Sequence, residues 1–129
     1  MKREIYTTYF ANLKNLYSDI VPISICGRAP EGWTGLQYKK LAPKWSFFKE
    51  WKENHDNDFY IMHFNDEVLS TLNAFTVINE LFELAHSDKI ALVCYEKPDD
   101  FCHRHLVSDW ITNNTDIEVR EYSRYGLFG

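Results

Sequence analysis

Two stretches of this chain are apolar almost without a break, residues 59–64 (FYIMHF) and 90–95 (IALVCY). Runs of this length and content suit strands covered on both faces better than strands with one wet side. Two earlier stretches, residues 4–10 (EIYTTYF) and 20–26 (IVPISIC), are rich in β-branched and aromatic types and predict two more strands. Pro22 puts the second of these near a sheet edge. Residues 117–122 (IEVREY) alternate apolar and polar side chains, which predicts an edge strand with one face in water.

Between these runs the period changes to that of a helix. Trp45 with Phe48, and Phe47 with Trp51, make a broad apolar stripe that predicts a helix over residues 42–54, with Pro43 in its first turn. Val77, Leu81, Leu84 and Ala85 fall on one helical face; Thr76 is the expected cap of that helix and Ser87–Asp88 its end. Asn65 or Asp66 is expected to cap a short helix, and Asp99 or Asp100 one that starts near Cys102. Residues 27–35 (GRAPEGWTG) hold three glycines and a proline, the main turn cluster and the expected mobile loop. Strand, helix, buried strand and helix in alternation predict parallel crossovers. The expected fold is therefore α/β, a single-domain three-layer sandwich over residues 1–129, with a mainly parallel sheet of about five strands and helices on both faces.

Composition narrows the function classes. With 129 residues, 45% of them hydrophobic, the chain can bury one core. Fourteen Lys and Arg against nineteen Asp and Glu give a net charge of -5, which argues against generic phosphate contacts on duplex DNA. No apolar run approaches the roughly 20 residues of a membrane span, and the opening Met-Lys-Arg-Glu leads into no secretory core, so a cytoplasmic protein without membrane contact is expected. Three cysteines cannot all pair, so Cys26, Cys94 and Cys102 are expected as free thiols.

The candidate chemistry gathers in residues 90–111, where an apolar strand, a short polar turn and a helix start bring Cys94, Glu96, Cys102, His103 and Arg104 together. In open α/β sheets ligands bind beyond the carboxyl ends of the strands. That rule adds Cys26 and Arg28 after the second strand, His63 and Asn65 after the expected third, and residues 122–124 after the last. Cys102, near a helix start and beside Arg104, is the expected nucleophile, and His103 the expected base for it or for a water. Arg104, Arg28, Cys94, Glu96 and Tyr38 are the expected substrate-binding residues. Cys94 also has a plain packing role open to it, since a buried free cysteine more often packs than reacts.

Cys94, Cys102, His103 and His105 offer two thiols and two imidazoles, but the spacing lacks the close C-x-x-C pairing of structural zinc sites, and Cys94 lies inside a core strand. No metal is assigned on this pattern. There is also no G-x-G-x-x-G after a strand, no G-x-x-x-x-G-K-[ST] and no H-E-x-x-H, which leaves dinucleotide, P-loop and zincin chemistry without support, and no cofactor is named. Tyr38, Lys39, Lys40, Lys44, Lys49 and Lys52, interleaved with Trp45, Phe47, Phe48 and Trp51, form a basic and aromatic face of the kind used against single-stranded nucleic acid. Lysine stems along an apolar helix stripe give the same pattern.

The segment CYEKPDDFCHRHLVSDW, with the earlier YTTYFANLKNL and YKKLAPKW, resembles the bacterial and phage proteins grouped as domain of unknown function four-eight-eight. The resemblance implies a compact α/β domain whose shared residues are Cys94, Glu96, Cys102, His103 and Arg104, with Tyr38, Leu41 and Pro43 in the middle motif. It implies no particular activity. Two functions follow from the residues: a small enzyme using Cys102 or a His103-activated water on an anionic, nucleotide-like or phosphorylated substrate, or a non-catalytic module that binds nucleic acid or protein through residues 39–52.

Overall fold

The computed structural model describes residues 2–122. Five strands form one sheet: β1 Glu4–Tyr9, β2 Val21–Ser24, β3 Leu36–Gln37, β4 Lys89–Cys94 and β5 Arg120–Glu121. They pair in the order β3-β2-β4-β1-β5, and every pairing is parallel. The carboxyl ends of all five strands therefore share one rim. β4 lies at the centre, in register with β1 from Glu4↔Lys89 to Tyr9↔Cys94 and with β2 from Val21↔Ile90 to Ser24↔Val93. Each strand residue alternates face, and Ile5, Ile23, Ile90, Leu92 and Cys94 all join the larger core cluster.

Helices α1 Trp45–Asn54, α2 Asn57–Glu67, α3 Ala74–Ala85 and α4 His103–Asn114 supply the rest of that cluster, among them Phe47, Tyr60, Phe64, Leu81, Val107 and Ile111. The other face carries a smaller cluster of Tyr6, Ile20, Ala91 and Tyr122, with Leu16 against it. Here the chain after β1 supplies the cover, through Leu16 and Ile20, together with Tyr122. The parallel α/β sandwich anticipated from the alternation of periods is thus present, with one thick layer and one thin.

The run at residues 59–64 is helix, not strand. Asp56 caps α2 by accepting a hydrogen bond from the Phe59 N–H at 3.2 Å, and Tyr60 and Phe64, one turn apart, form the buried face while Met62 is exposed. Six apolar residues fit either period, and the cap three residues before the run decides between them. Asn65 and Asp66 accordingly lie inside α2 and cap nothing; the turn that follows is the 3-10 segment Leu69–Thr71. The strand that completes the sheet is β3, two residues long and too short to leave a periodic trace. Asn73, not Thr76, caps α3, its side chain accepting from the Thr76 N–H. α1 starts at Trp45 because Lys39–Leu41 forms a separate 3-10 turn and Ala42 and Lys44 stay extended. α4 starts after Cys102, with Asp99 and Asp100 in the preceding loop.

The glycine-rich loop is tied down at several points. The Trp33 indole N–H donates to the Leu36 carbonyl at 3.2 Å, its ring meets Phe10 edge-on at 5.3 Å, and the Tyr95 hydroxyl donates to the Arg28 carbonyl at 2.6 Å. Gly35 permits this fold-back, since a Cβ there would stand 2.5 Å from the Trp33 ring.

At the other edge β5 is held by side chains as much as by its short ladder. Arg104 on α4 is 0% exposed, and its Nε and Nη2 donate to the two carboxylate oxygens of Glu121 at 3.1 and 3.0 Å. Thr7 on β1 donates to the same carboxylate at 2.7 Å, and Tyr9 lies 6.0 Å under the guanidinium. Removing one partner of a buried pair leaves the other charge uncompensated. Glu121→Gln is therefore expected to lower stability by about 3 kcal/mol in denaturant unfolding, whereas the Arg104→Met, Glu121→Leu double variant loses less than either single change. Equal or larger loss in the double variant contradicts this account.

Candidate functional site

β4 ends at Cys94 and β2 runs out through Ile25 and Cys26 into the loop, so two adjacent strands each deliver a cysteine to the shared rim. α4 begins directly above them. Cys102 is its N-cap residue in extended conformation, with no side-chain cap bond, which leaves the sulfur free to turn inward. His103, the first helical residue, drops its ring between the strand ends: Nε2 lies 2.8 Å from the Ile25 carbonyl oxygen. A carbonyl only accepts, so Nε2 carries the proton and Nδ1 is left facing the sulfurs. Cys94 Sγ lies 3.7 Å from Nδ1 and 3.6 Å from Nε2, and Cys102 Sγ lies 4.0 Å from Nδ1. All three residues are buried, at 0%, 4% and 7% exposure for Cys94, Cys102 and His103.

The cluster shares out charge unevenly. Cys102 is pulled down to about 3, first by the hydrogen bond it accepts from the Cys94 thiol and then by His103 and Arg104. Cys94, the most deeply enclosed, is pushed well up by burial and stays a thiol. Burial alone would lower His103, but the Cys102 thiolate more than offsets it, and the imidazole ends above its ordinary value. Cys26 is lowered as well, chiefly by a hydrogen bond from Cys94. The single Cys94 S–H serves one neighbour at a time, and His103 and Arg104 favour Cys102 as the thiolate. Glu96 is raised, by burial first and then by the Cys102 charge.

Beside the cluster opens a cleft of about 590 Å³. Cys26, Gly27 and Arg28 form one side, Tyr95 and Glu96 another, and Trp45, Phe48 and Lys52 of α1 with Pro43 the third, while His103 reaches it from below. Trp45 is 65% exposed and stacks on Phe48, with the Lys52 ammonium over the Phe48 ring at 5.7 Å. A second hollow, of about 640 Å³, lies at the opposite end of the sheet among Lys2, Arg3, Glu4 and Arg120 and has no cysteine or histidine in its lining.

The structure thus brings Cys94, Glu96, Cys102, His103 and Arg28 to one end of the sheet. It places two expected residues elsewhere. Arg104 is absent from the cleft lining, and the anion it holds is Glu121. Tyr38 is buried under α3, its hydroxyl donating to Glu80 at 2.5 Å and its N–H to the Ser24 carbonyl at 2.8 Å, so it braces the sheet edge. His63 pairs with Glu67 on α2 and stacks on Phe47, and Asn65 shares that helix, because the strand expected to end there is helical. Tyr122 is buried and packs against Tyr6 and Tyr17; Ser123 and Arg124 lie outside the described residues. Cys26 gains a larger part than its sequence suggested, as the thiol that lines the cleft. The signal was there: a cysteine closing an apolar strand just before glycine, as Cys94 closes another before Tyr95.

Among the described residues, Cys94, Cys102 and His103 form a group able to hold a metal ion, with one ligand atom from each within 4.8 Å of the others. His105 is not part of it. No helix of the described residues is long and apolar enough to cross a membrane.

The DUF488-N3a family model, described as the active DUF488-N3 subclade, matches residues 11–115, and the chain belongs to the DUF488 family. The match takes in Cys26, Cys94, Glu96, Cys102 and His103, and it bears out the resemblance carried by the CYEKPDDFCHRH segment. No curated protein and no solved structure matched the chain.

The charge distribution has a direct readout. In chelator-treated protein, the ultraviolet absorbance of one thiolate is expected to persist at acid pH far below the ordinary thiol range and to vanish in Cys102→Ser. A titration in which no thiolate survives below neutral pH contradicts the assignment.

Proposed function

We propose that this protein is an enzyme that seats an anionic, nucleotide-like substrate in the cleft and carries out its chemistry at the cysteine and histidine cluster in the floor. One observation carries the reading: the cleft joins two cations, Arg28 and Lys52, and three aromatic rings, Trp45, Phe48 and Tyr95, to a wall that contains Cys26, Glu96 and His103. Cationic side chains suit phosphate or carboxylate oxygens, and exposed rings suit a planar base. The description of the matching subclade as active is in keeping with an enzyme.

Within this reading His103 is the cluster's contact with the cleft, and Cys102 acts through it. Cys102 is 4% exposed and outside the cleft lining, so direct attack by its sulfur requires the His103 ring to swing aside. Activation of a water is favoured over a covalent thiol intermediate. Glu96, half-buried at the cleft wall, is the carboxylate placed to take a proton from that water.

A second reading shares the same surface. Trp45, Phe48 and Lys52 belong both to the cleft and to the basic and aromatic face of residues 39–52, so a single-stranded nucleic acid can present one of its nucleotides to the cleft.

Calorimetric titration with nucleoside monophosphates and with inorganic phosphate tests the reading. A nucleotide is expected to bind more tightly than phosphate, and Arg28→Ala with Lys52→Ala to weaken it by roughly tenfold or more, since each tenfold is about 1.4 kcal/mol. Failure of every nucleotide and of phosphate to bind at millimolar concentration sinks it. Binding of a short single-stranded oligonucleotide that weakens steeply with salt supports the second reading, and salt-independent or absent binding removes it.

A further inference from the structure

We infer that Cys94, Cys102 and His103 Nδ1 are three ligands of a tetrahedral, thiolate-binding metal ion of the zinc type, whose fourth position is left to a water or a small ligand. The separations fit. Bonds of about 2.3 Å to sulfur and about 2.0 to 2.1 Å to nitrogen at a tetrahedral angle put a nitrogen and a sulfur ligand about 3.6 Å apart and two sulfurs about 3.8 Å apart. The observed Nδ1 to sulfur distances are 3.7 and 4.0 Å, and all three ligand atoms lie within 4.8 Å of one another. The N–S separations exceed the ideal by a few tenths of an ångström, and the bound on the S–S separation exceeds it by about 1 Å.

The tautomer of His103 is an independent observation pointing the same way. Metal-binding histidines characteristically donate their other ring N–H to a carbonyl or carboxylate, which fixes the ring and aims the lone pair. His103 makes that bond from Nε2 to the Ile25 carbonyl at 2.8 Å. With Nε2 so engaged, Nδ1 is the nitrogen left to ligate, and both sulfurs lie within 4.0 Å of it.

The spacing argument against a metal fails for a structural reason. Cys94 ends β4 rather than lying in its middle, so its sulfur stands at the rim, and Cys102, eight residues on, returns over it because α4 starts there. Three protein ligands with one vacant position is the arrangement of catalytic zinc, in which a bound water acidifies toward neutrality. Cys26 stands at the cleft margin of the cluster and outside the group of three, and we assign it no bond to the ion.

This inference deepens the enzyme reading and rests on it only for the use made of the open position. The test is cobalt titration of the chelator-stripped full chain, followed by X-ray absorption of the zinc-loaded protein. One equivalent with thiolate-to-cobalt charge-transfer bands is expected, and a zinc environment of two sulfur and two nitrogen or oxygen atoms. Cys102→Ser and His103→Ala should lose stoichiometric binding, and Cys26→Ser should keep it. Absence of metal binding by the wild-type chain, a zinc environment with no sulfur or with three, or loss of the metal from Cys26→Ser each overturns the proposal. The spectroscopy on wild-type protein decides even if a variant fails to fold. Nucleotide titration is a separate measurement: a chain that binds nucleotide without metal loses the ion and keeps the cleft, and one that binds metal without nucleotide does the reverse.

Discussion

The hydrogen bond between His103 Nε2 and the carbonyl of Ile25 is the constraint around which the site is arranged. It spans from the first residue of α4 to the end of β2, across the top of β4, and so joins three elements at the point where two strands deliver cysteines. It also removes a choice. An imidazole that must donate from Nε2 has only Nδ1 to direct elsewhere, and both Cys94 and Cys102 bring a sulfur within 4.0 Å of it. Without that bond the ring could rotate and the sulfurs would have no fixed partner. The bond is available because β2 continues past its last ladder residue with the Ile25 N–H engaged by the Val93 carbonyl, while the Ile25 carbonyl points up at the helix.

The parallel sheet makes this arrangement possible, since residues distant in the chain meet only if their strands end on the same side. Cys26 and Cys94 are 68 positions apart in number yet flank one another because Ser24 pairs with Val93. The edge of the sheet is secured differently. β5 has two residues of ladder, and the Arg104 guanidinium clamps it through Glu121. Two consecutive residues of α4 thus have opposite assignments: His103 turns toward the β2 side and the cleft, and Arg104 toward β1 and β5. The step of about 100° per helical residue separates the two tasks.

Much of this was legible in the amino-acid sequence. The strand, turn and helix of residues 90–111, the amphipathic period of α3 and the strand near residue 20 all have the pattern their environment imposes, and the rule that ligands lie beyond the strand ends led to Cys26, Arg28, Cys94 and Glu96. Three things were not legible. The run FYIMHF is equally apolar as strand or helix, and only the Asp56 cap separates the two. The two-residue β3 leaves no period. The role of Arg104 depended on Glu121, whose position against β1 is a property of tertiary structure that no local spacing encodes.

One detail at the start of α4 ties stability to chemistry. Most helices place a serine, threonine or aspartate at the position Cys102 occupies, where a side-chain oxygen satisfies an exposed N–H and stabilises the helix by about 1 kcal/mol. Here the position holds sulfur, and the sulfur looks inward. The fold forgoes the strongest device for fixing this end of α4 and relies on His103 beneath it instead. A hydroxyl in place of the thiol would favour the helix end while removing from the cluster the one sulfur held as a thiolate, so at this residue helix stability and cluster charge ask for different atoms.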